Sequence, residues 1–216
     1  MMTTDIYTLC SMRAADGGAR LLLQVLVQSP SGKEVKTLSV FSARLARTPR
    51  CGALTEEEYR GLCHEAELTH AMDIGLRLLG ANGASQLQLV QKMQHRGVKS
   101  ETARMAVREL ADRGYLDECR GALHEAGKGL GKLWGDRRIL ADLRAKGYGE
   151  AALSEAAALL AGENGAERCA KLMVRRRMVL PRSEGELSRF MASLMRYGYT
   201  AGEIKRACRL YKDLNP

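Results

Sequence analysis

Residues 139–148 of the chain read ILADLRAKGY, and two further segments repeat their pattern, LVQKMQHRGV at 89–98 and FMASLMRYGY at 190–199. In each segment, apolar residues stand eight, seven and four positions before a glycine. This spacing places the apolar residues on one face of an α-helix. A glycine followed by an apolar residue is typical of the left-handed turn that ends a helix. Each segment therefore predicts a helix that ends in the same way.

A second amphipathic helix follows each glycine, because apolar residues recur six, nine and thirteen positions after it. Residues 120–127 and 166–178 add a third helical segment to the first two copies. The three glycines, Gly97, Gly147 and Gly198, are 50 and 51 residues apart. We therefore predict a mainly α fold in which three-helix repeats form an elongated, curved tandem array.

The part of the chain before the repeats has the pattern of strands and turns. Two runs rich in Val and Leu flank the turn residues 29–32, which predicts a small antiparallel β-hairpin or three-stranded meander. Thr55 and Glu58 form the capping box of a helix that links this region to the repeats. The predicted divisions are a β-rich domain at 1–50, a linking helix at 51–80, and helical repeats at 81–127, 128–180 and 181–216.

A glycine-rich stretch, GKGLG at 127–131, predicts a flexible joint within the repeats. Its surroundings do not fit the phosphate-binding loop of nucleotide-binding proteins, which needs a glycine separated by four residues from a Gly-Lys-Ser/Thr triplet. Since no other segment has such a pattern, we predict no nucleotide and no other cofactor.

The positive charge is concentrated at the C-terminal end. The 216 residues include 34 Lys and Arg against 25 Asp and Glu, a formal net charge of +9. From residue 168 onward there are 12 basic and 4 acidic residues. A surface that only needs to be soluble normally mixes both signs, so this excess predicts contact with a polyanion.

The sequence carries no recognisable catalytic or metal site. The six cysteines include no Cys-x-x-Cys pair, and His64 and His70 are six residues apart rather than the four of a zinc-binding helix. A scattered site around Asp117, Cys119 and His124 is an enzymatic alternative, which the sequence does not favour. No catalytic residue and no metal ligand is therefore predicted.

No apolar run approaches the roughly 18 residues that a membrane-spanning helix needs. The first residues also lack the pattern of a secretory signal. We therefore expect a cytoplasmic protein without membrane contact.

Two motifs link the chain to a known family. One is GYLDE at 114–118, and the other is GDRRILADLRAKGY at 135–148. With these motifs the chain resembles the RecX family, small regulators of the RecA recombinase. The resemblance covers residues 70–214 by the repeat motifs, and residues 5–69 more weakly by the order of elements.

The resemblance implies a regulator, not an enzyme, that takes part in DNA repair, homologous recombination and the SOS response. Such a protein lies along the groove of the RecA–DNA filament and inhibits ATP hydrolysis, strand exchange and coprotease activity. Its expected partners are the RecA filament and both single- and double-stranded DNA, bound weakly and without sequence preference. We expect a monomer. Capping of the filament end and coating of its side are both compatible with this resemblance.

Two positions depart from the family pattern. Residues 80–85 read GANGAS where family members usually have an arginine-rich turn, and Gly121 stands where an aromatic residue is usual. The basic residues lie instead toward the third repeat. Our candidates for contact with RecA or DNA are Arg104, Arg108, Arg137, Arg138, Arg144, Arg175, Arg176, Arg177, Arg196, Lys205, Arg206 and Arg209.

An alternative function follows from the helix pairs themselves. The pair around Gly97 or Gly198 could act as a helix-turn-helix in a stand-alone DNA-binding protein. Such a protein would bind a specific duplex sequence, whereas the filament regulator would bind DNA without sequence preference.

Overall fold

The computed structural model describes residues 5–79 and 84–214, in which a four-stranded antiparallel sheet precedes nine helices. This confirms the prediction of a mainly α chain with a small β segment at its start. The described residues fall into two compact units. The first contains residues 5–78 and 92–112, and the second contains 79, 84–91 and 113–214. The predicted start of the first repeat at 81 lies outside the described residues.

The sheet has the strand order β3-β2-β1-β4. The strands are β1 (Ile6–Ala15), β2 (Arg20–Ser29), β3 (Gly32–Phe41) and β4 (Gly52–Leu54). The predicted hairpin or three-stranded meander is therefore incomplete, because β4 adds a fourth strand at the edge next to β1. A strand of three residues is too short to show the alternation by which sequence reveals a strand.

One face of the sheet packs on helix α1 (Glu56–Leu79) and forms the core of the first unit. Leu9, Leu23 and Val25 are fully buried there, and Leu62 of α1 packs against them. The predicted capping box begins α1: the Thr55 N–H donates to Glu58 Oε2 at 2.8 Å, and the Glu58 N–H donates to Thr55 Oγ1 at 3.2 Å.

The same unit contains the end of α2 (Gln86–His95) and α3 (Ser100–Asp112). Gly75 of α1 makes this packing close, since a Cβ atom there would lie 2.6 Å from Leu110 Cδ1 of α3. Arg44, which follows β3, pairs with Glu65 of α1 at 2.6 Å and with Glu109 of α3 at 3.0 Å. This arginine therefore ties the sheet to both helices.

The second unit contains six further helices with two separate cores. The helices are α4 (Glu118–Gly131), α5 (Asp136–Ala145), α6 (Glu150–Ala161), α7 (Gly165–Arg175), α8 (Glu184–Arg196) and α9 (Ala201–Leu214). Helices α4, α5 and α6 share one core, around Ala126, Leu143 and Leu160. Helices α7, α8 and α9 share the other, around Leu172 and Leu194.

The glycine-rich stretch 127–131 is helical, so the prediction of a joint there is wrong. It forms the last part of α4, and a Cβ atom on Gly129 would lie 2.7 Å from Ile139 Cγ1 of α5. Glycine is required at that position because α5 crosses α4 there. Packing between the two helices therefore outweighs the low helix propensity of glycine.

The glycine caps predicted from the repeats are confirmed. Gly97, Gly147 and Gly198 have φ angles of 86°, 78° and 95°. After α5, the Gly147 N–H donates to the Arg144 carbonyl at 2.9 Å and the Tyr148 N–H donates to the Leu143 carbonyl at 3.2 Å. This pair of bonds is the Schellman motif, and it occurs in the same form after α2 and α8.

Candidate nucleic-acid interface

Helices α7 to α9 and their turns expose a large number of unpaired cations. Eleven lysines and arginines lie between residues 171 and 212, and all of them are exposed. None of the eleven forms an ion pair within the part of the chain that the structure describes. This region therefore presents positive charge that no neighbouring carboxylate neutralises.

Two of the few carboxylates in this region cap helices instead of pairing with cations. Glu203 Oε2 accepts hydrogen bonds from the N–H and from the hydroxyl of Thr200, both at 2.7 Å. Glu186 Oε2 accepts a hydrogen bond from the Arg182 N–H at 2.8 Å, and Ser183 Oγ accepts one from the Glu186 N–H at 3.3 Å. Both acids act on the positive ends of helix dipoles, where negative charge is stabilised.

Three cations lie over two aromatic rings in the second unit, and a fourth, Arg175, donates a hydrogen bond to the Lys132 carbonyl. This basic–aromatic cluster consists of Lys132, Trp134, Arg138, Arg175, Arg176 and Tyr197. The Arg138 guanidinium lies 4.2 Å from the centroid of the Trp134 ring and 5.4 Å from that of Tyr197. Lys132 Nζ lies 4.8 Å from the Trp134 centroid. The Arg176 guanidinium lies 5.0 Å from the Tyr197 centroid. These are cation–π distances.

The cluster forms because the turn between α4 and α5 docks on the turn between α8 and α9. The Gly135 N–H donates to the Tyr197 carbonyl at 2.7 Å, and the Tyr199 hydroxyl donates to the Leu133 carbonyl at 2.8 Å. A Cβ atom on Gly135 would lie only 2.3 Å from the carbonyl carbon of Gly198. The two turns therefore meet backbone to backbone, which side chains at these glycines would prevent.

The C-terminal end of α7 joins the same cluster through Arg175, whose Nη2 donates to the Lys132 carbonyl at 2.9 Å. Arg177 follows with a φ of 48°, at the helix-ending position that Gly97, Gly147 and Gly198 occupy elsewhere. The bonds are those of the same motif, because the Met178 N–H donates to the Met173 carbonyl at 3.0 Å. A side chain at such a φ costs about 1 kcal/mol relative to glycine.

Arg168 differs from the other cations of the basic region. It is 6% exposed, and its guanidinium pairs with Asp136 and donates from Nε to the Trp134 carbonyl at 2.9 Å. Burial raises the pKa of Asp136 and outweighs the opposite effect of Arg168, while Glu203 raises it further. Although Arg168 contributes to the basic composition, its role is to hold the turn that carries Trp134.

Because cations lie on the aromatic rings, Trp134 and Tyr197 order the cations rather than offer free faces to nucleobases. A guanidinium held on a ring loses less freedom when it binds a phosphate than one that moves in water. The cluster is thus an array of ordered cationic hydrogen-bond donors, a chemistry that suits phosphate groups. Contacts of this kind carry no sequence information.

A second junction in the same unit joins the equivalent positions of the repeat through side chains and has a different charge. Ser85 Oγ donates to the Lys146 carbonyl, and a Cβ atom on Gly147 has Leu87 as its neighbour. Gly121 is small here because a Cβ atom would lie 3.2 Å from the hydroxyl oxygen of Tyr148. Close packing therefore explains why this chain has no aromatic residue at 121.

The second junction is neutral. Glu125 pairs with Lys146 and with Lys128, the latter at 2.5 Å, and Lys146 also pairs with Asp142 at 2.7 Å. Burial acts to raise the pKa of Glu125, but the two lysines outweigh it and lower the pKa to about 2. Of the two junctions, the basic–aromatic cluster alone keeps its positive charge available to a ligand.

The predicted contact residues are divided between the units. Arg104 and Arg108 are exposed on α3 of the first unit, next to the acidic Glu101 and Asp112. In the second unit, Arg138, Arg175 and Arg176 come together in the cluster, with Arg177 next to Arg176 in the chain. The remaining candidates, Arg137, Arg144, Arg196, Lys205, Arg206 and Arg209, are exposed on or at the ends of α5, α8 and α9.

Sequence reasoning missed Lys132 as a member of the cluster. The signal that could have found it is the pattern KLWGDRR at 132–138, in which cations flank the only tryptophan of the chain. The docking partner Tyr197 is 63 residues from Trp134, so no local pattern could have connected them.

Asp117, Cys119 and His124 do not form a catalytic arrangement. Asp117 caps α4, where its Oδ1 accepts a hydrogen bond from the Arg120 N–H at 2.9 Å. Burial raises the pKa of the Cys119 thiol, which disfavours the reactive thiolate. Among residues 5–79 and 84–214 no group of His, Cys, Asp and Glu could hold a metal ion, and no helix is long and apolar enough to span a membrane.

Two solved structures share this architecture. The structure of regulatory protein RecX superimposes with a TM-score of 0.69 at 17% identity, covering 94% of this chain and 99% of that one. The chain has the RecX fold. RecX from Lactobacillus salivarius matches with a TM-score of 0.54 at 14% identity, over 68% of this chain and 97% of its own.

The RecX fold confirms, at the level of architecture, the resemblance seen in the sequence motifs. No family model and no curated protein matches the chain by sequence. Similarity to the RecX structures thus lies in the three-dimensional arrangement, which covers the β segment as well as the helices.

Proposed function

We propose that this chain is a regulator of the RecA recombinase that binds along the groove of the RecA–DNA filament and inhibits ATP hydrolysis, strand exchange and coprotease activity. The observation that carries the proposal is the RecX fold over 94% of the chain. The protein acts by binding and performs no chemistry of its own. It takes part in DNA repair, homologous recombination and the SOS response, in the cytoplasm and as a monomer.

In this proposal the helices form a tandem array of three-helix repeats, with the second division at 180/181; the first division, predicted at 127/128, moves to the end of α4 at residue 131, because 127–131 is helical. A hydrogen bond to a carbonyl at equivalent positions of two copies supports the array, although the donor is a side-chain hydroxyl in one and a backbone N–H in the other. Ser85 donates to the Lys146 carbonyl in one junction, and Gly135 donates to the Tyr197 carbonyl in the other. The donors are 50 residues apart and the acceptors 51, as the glycines of the repeats are. An array offers a long surface along which a filament can be followed.

The basic–aromatic cluster and the exposed face of α9 are the proposed contact with DNA. Their cations are free of carboxylate partners in the described part of the chain, and the rings hold three of them in place. Phosphate contacts of this type bind single and double strands without sequence preference and weaken as salt concentration rises. Each lost phosphate contact lowers the salt slope of log K by about 0.7 on single strands.

The first experiment is the steady-state ATPase rate of RecA on single-stranded DNA with this protein titrated in. We expect inhibition, and we expect the change of Arg175, Arg176 and Arg177 to Ala to weaken it. A control with Arg13, Lys33 and Lys36 changed to Ala removes the same charge from the sheet and should inhibit like the wild type. An unchanged rate at saturating protein would contradict the proposed function.

The DNA contact has its own readout in the single tryptophan. Because Lys132 and Arg138 lie on the Trp134 ring, binding of an oligothymidylate to these cations should change the tryptophan fluorescence. The change should decrease with salt and should not depend on base sequence. A preferred duplex sequence, found by selection, would instead support the helix-turn-helix alternative. In that alternative, the second helix of a pair would read the duplex. Helix α6 contains no lysine or arginine, so α3 and α9 are the candidates for the reading helix.

A further inference from the structure

We propose that a cavity beside the edge strand β4 is a binding site for an amphipathic organic anion, an aliphatic chain that ends in a carboxylate. The cavity has a volume of about 780 Å³ and is open to solvent. It lies within the first unit, where the segment 45–51, strand β4 and the first turns of α1 line it. Cavities of about 300–1,000 Å³ are typical of small-molecule sites. The size permits a small ligand, and the chemistry of the lining selects its class.

The buried side of the cavity is aliphatic. Leu45, Leu54 and Leu62 line it, and all three pack in the core between the sheet and α1. Leu62 is buried, whereas Leu45 and Leu54 are half-buried. None of the described residues that line the cavity is aromatic. An alkyl chain can therefore bury apolar surface against the leucines, but a flat ring finds no partner for stacking.

The exposed side of the cavity is positively charged. Arg47 and Arg50 are exposed, and neither forms an ion pair in the described part of the chain. Glu58 is the one carboxylate among the described lining residues, and its Oε2 accepts hydrogen bonds from the N–H and the hydroxyl of Thr55 at 2.8 Å and 3.0 Å. These bonds hold the pKa of Glu58 below its ordinary value, and Arg47 adds to the effect. Two arginines against one carboxylate leave a net positive charge.

The backbone of the same segment adds further donors. Across the described residues, the N–H groups of Arg47, Thr48 and Arg50 make no hydrogen bond to another residue. Pro49 between them has a fixed φ, which restricts the segment. An arginine side chain donates to both oxygens of a carboxylate, and such charged hydrogen bonds are stronger than neutral ones. A carboxylate is therefore the group that this side of the cavity suits.

The two sides of the cavity together define the ligand. A small anion without a chain would leave the leucines exposed, and a chain without a charge would leave the arginines without a partner. The site therefore selects molecules that carry both, with the chain against the leucines and the carboxylate at the arginines. Neither a nucleobase nor a sugar meets this description.

The test is protection of Cys51, a free thiol that lines the cavity, from alkylation by iodoacetamide. The probe is sodium decanoate below its micelle concentration, and mass spectrometry of the tryptic peptides 51–60 and 1–13 measures the rates at Cys51 and Cys10. Cys10 is exposed but does not line the cavity, so it is the internal reference. At about ten times the Kd of decanoate, alkylation of Cys51 should slow about tenfold, while that of Cys10 should not change.

Two further probes separate the parts of the ligand. Acetate has the carboxylate without the chain. Decyltrimethylammonium has the same chain with the opposite charge. At equal concentration, each should protect Cys51 much less than decanoate does.

Removal of the arginines tests the charged side. Arg47→Ala combined with Arg50→Ala should raise the decanoate concentration for half protection about tenfold or more, since one charged hydrogen bond is typically worth at least that factor. Arg13→Ala combined with Lys33→Ala removes the same charge from the sheet of the same unit. This matched variant should bind decanoate like the wild type.

A side chain at Gly61 tests the cavity itself. Gly61 of α1 lines the cavity and has no atom within 4 Å of its Cβ position, so Gly61→Leu should occupy the cavity without disturbing the helix. Decanoate should then no longer change the rate at Cys51. Gly127→Leu is the matched control, because Gly127 is an exposed helical glycine with the same open space in the second unit.

Three results would overturn the proposal. These are equal effects of decanoate on Cys51 and Cys10, protection by acetate or decyltrimethylammonium as strong as by decanoate, and unchanged protection in the double arginine variant. Circular dichroism shows whether each variant is folded, and the arginine variant, which changes only exposed side chains, decides the outcome if Gly61→Leu does not fold. The test involves neither RecA nor DNA, so its outcome is independent of the proposed function.

Discussion

Gly135 and Gly198 meet through their backbones, so that a Cβ atom on Gly198 would lie 2.5 Å from the backbone nitrogen of Arg138 and 2.7 Å from the Gly135 carbonyl oxygen. Each glycine belongs to a different turn, and their contact brings Trp134 and Tyr197 into one cluster. The two glycines therefore decide the geometry of the proposed DNA contact, although neither carries a functional group.

Substitution of Gly198 by Ala should destabilise the second unit by about 2–4 kcal/mol, the sum of a left-handed backbone and overpacking. Gly114→Ala is the matched control in the same unit. Gly114 has a φ of 75° with no atom near its Cβ position, so only the backbone cost of about 1 kcal/mol applies. Urea unfolding followed by tryptophan fluorescence measures both. Equal losses would show that the contact is not tight.

Two glycines of α4 should respond in opposite directions to alanine. Gly127 has no atom within 4 Å of its Cβ position, so Gly127→Ala should stabilise the helix by about 1 kcal/mol through helix propensity. Gly129→Ala places a methyl group against Ile139 and should destabilise by about 1–3 kcal/mol. Thermal unfolding of the two variants gives the comparison. A flexible joint at 127–131 would make the two substitutions equivalent.

Substitutions of Arg177 can test its effect on stability separately from its effect on DNA binding. Arg177→Gly should raise stability by about 1 kcal/mol, because glycine adopts the left-handed conformation without cost, and it should weaken binding to oligothymidylate. Arg177→Ala keeps the backbone cost and removes the same charge, so it should lose binding without the gain in stability. Denaturation and fluorescence titration of both variants measure the two effects. Unchanged binding in both would remove Arg177 from the proposed contact.

The ion pairs of Glu125 should make stability depend on pH. Its pKa is about 2 in the folded protein against an ordinary value of 4.5, so the carboxylate stabilises the fold above pH 4.5. This contribution, about 2 kcal/mol after allowance for its partial exposure, should be lost as the pH falls from 4.5 toward 2. Glu125→Gln should therefore be less stable than the wild type at pH 7 and should approach it near pH 2.

Unfolding in urea across this pH range measures the difference. Glu150→Gln, at the exposed first turn of α6, is the control and should show a much smaller pH-dependent difference. A constant difference between wild type and Glu125→Gln at all pH values would show that the carboxylate charge is not what stabilises this junction.

The sequence by itself determined the helices and the way they end. Apolar spacing is set by the 3.6-residue period of the α-helix, and Gly97, Gly147 and Gly198 supply a conformation that other residues adopt at a cost. Capping boxes at Thr55 and Thr200 could be found for the same reason, since donor and acceptor are three residues apart. Interactions that are local in the chain leave patterns in the chain.

Only the tertiary structure decided where charge is neutralised and where it is available. Lys146 and Arg138 are both cations near a repeat glycine, yet Lys146 meets Glu125 and Arg138 meets aromatic rings. In the same way, β4 and the helical state of 127–131 depend on partners outside their own segments, β1 and Ile139. The ion pairing and the desolvation of a charged side chain are set by its neighbours in space. Packing brings these neighbours together, and no local sequence pattern encodes it.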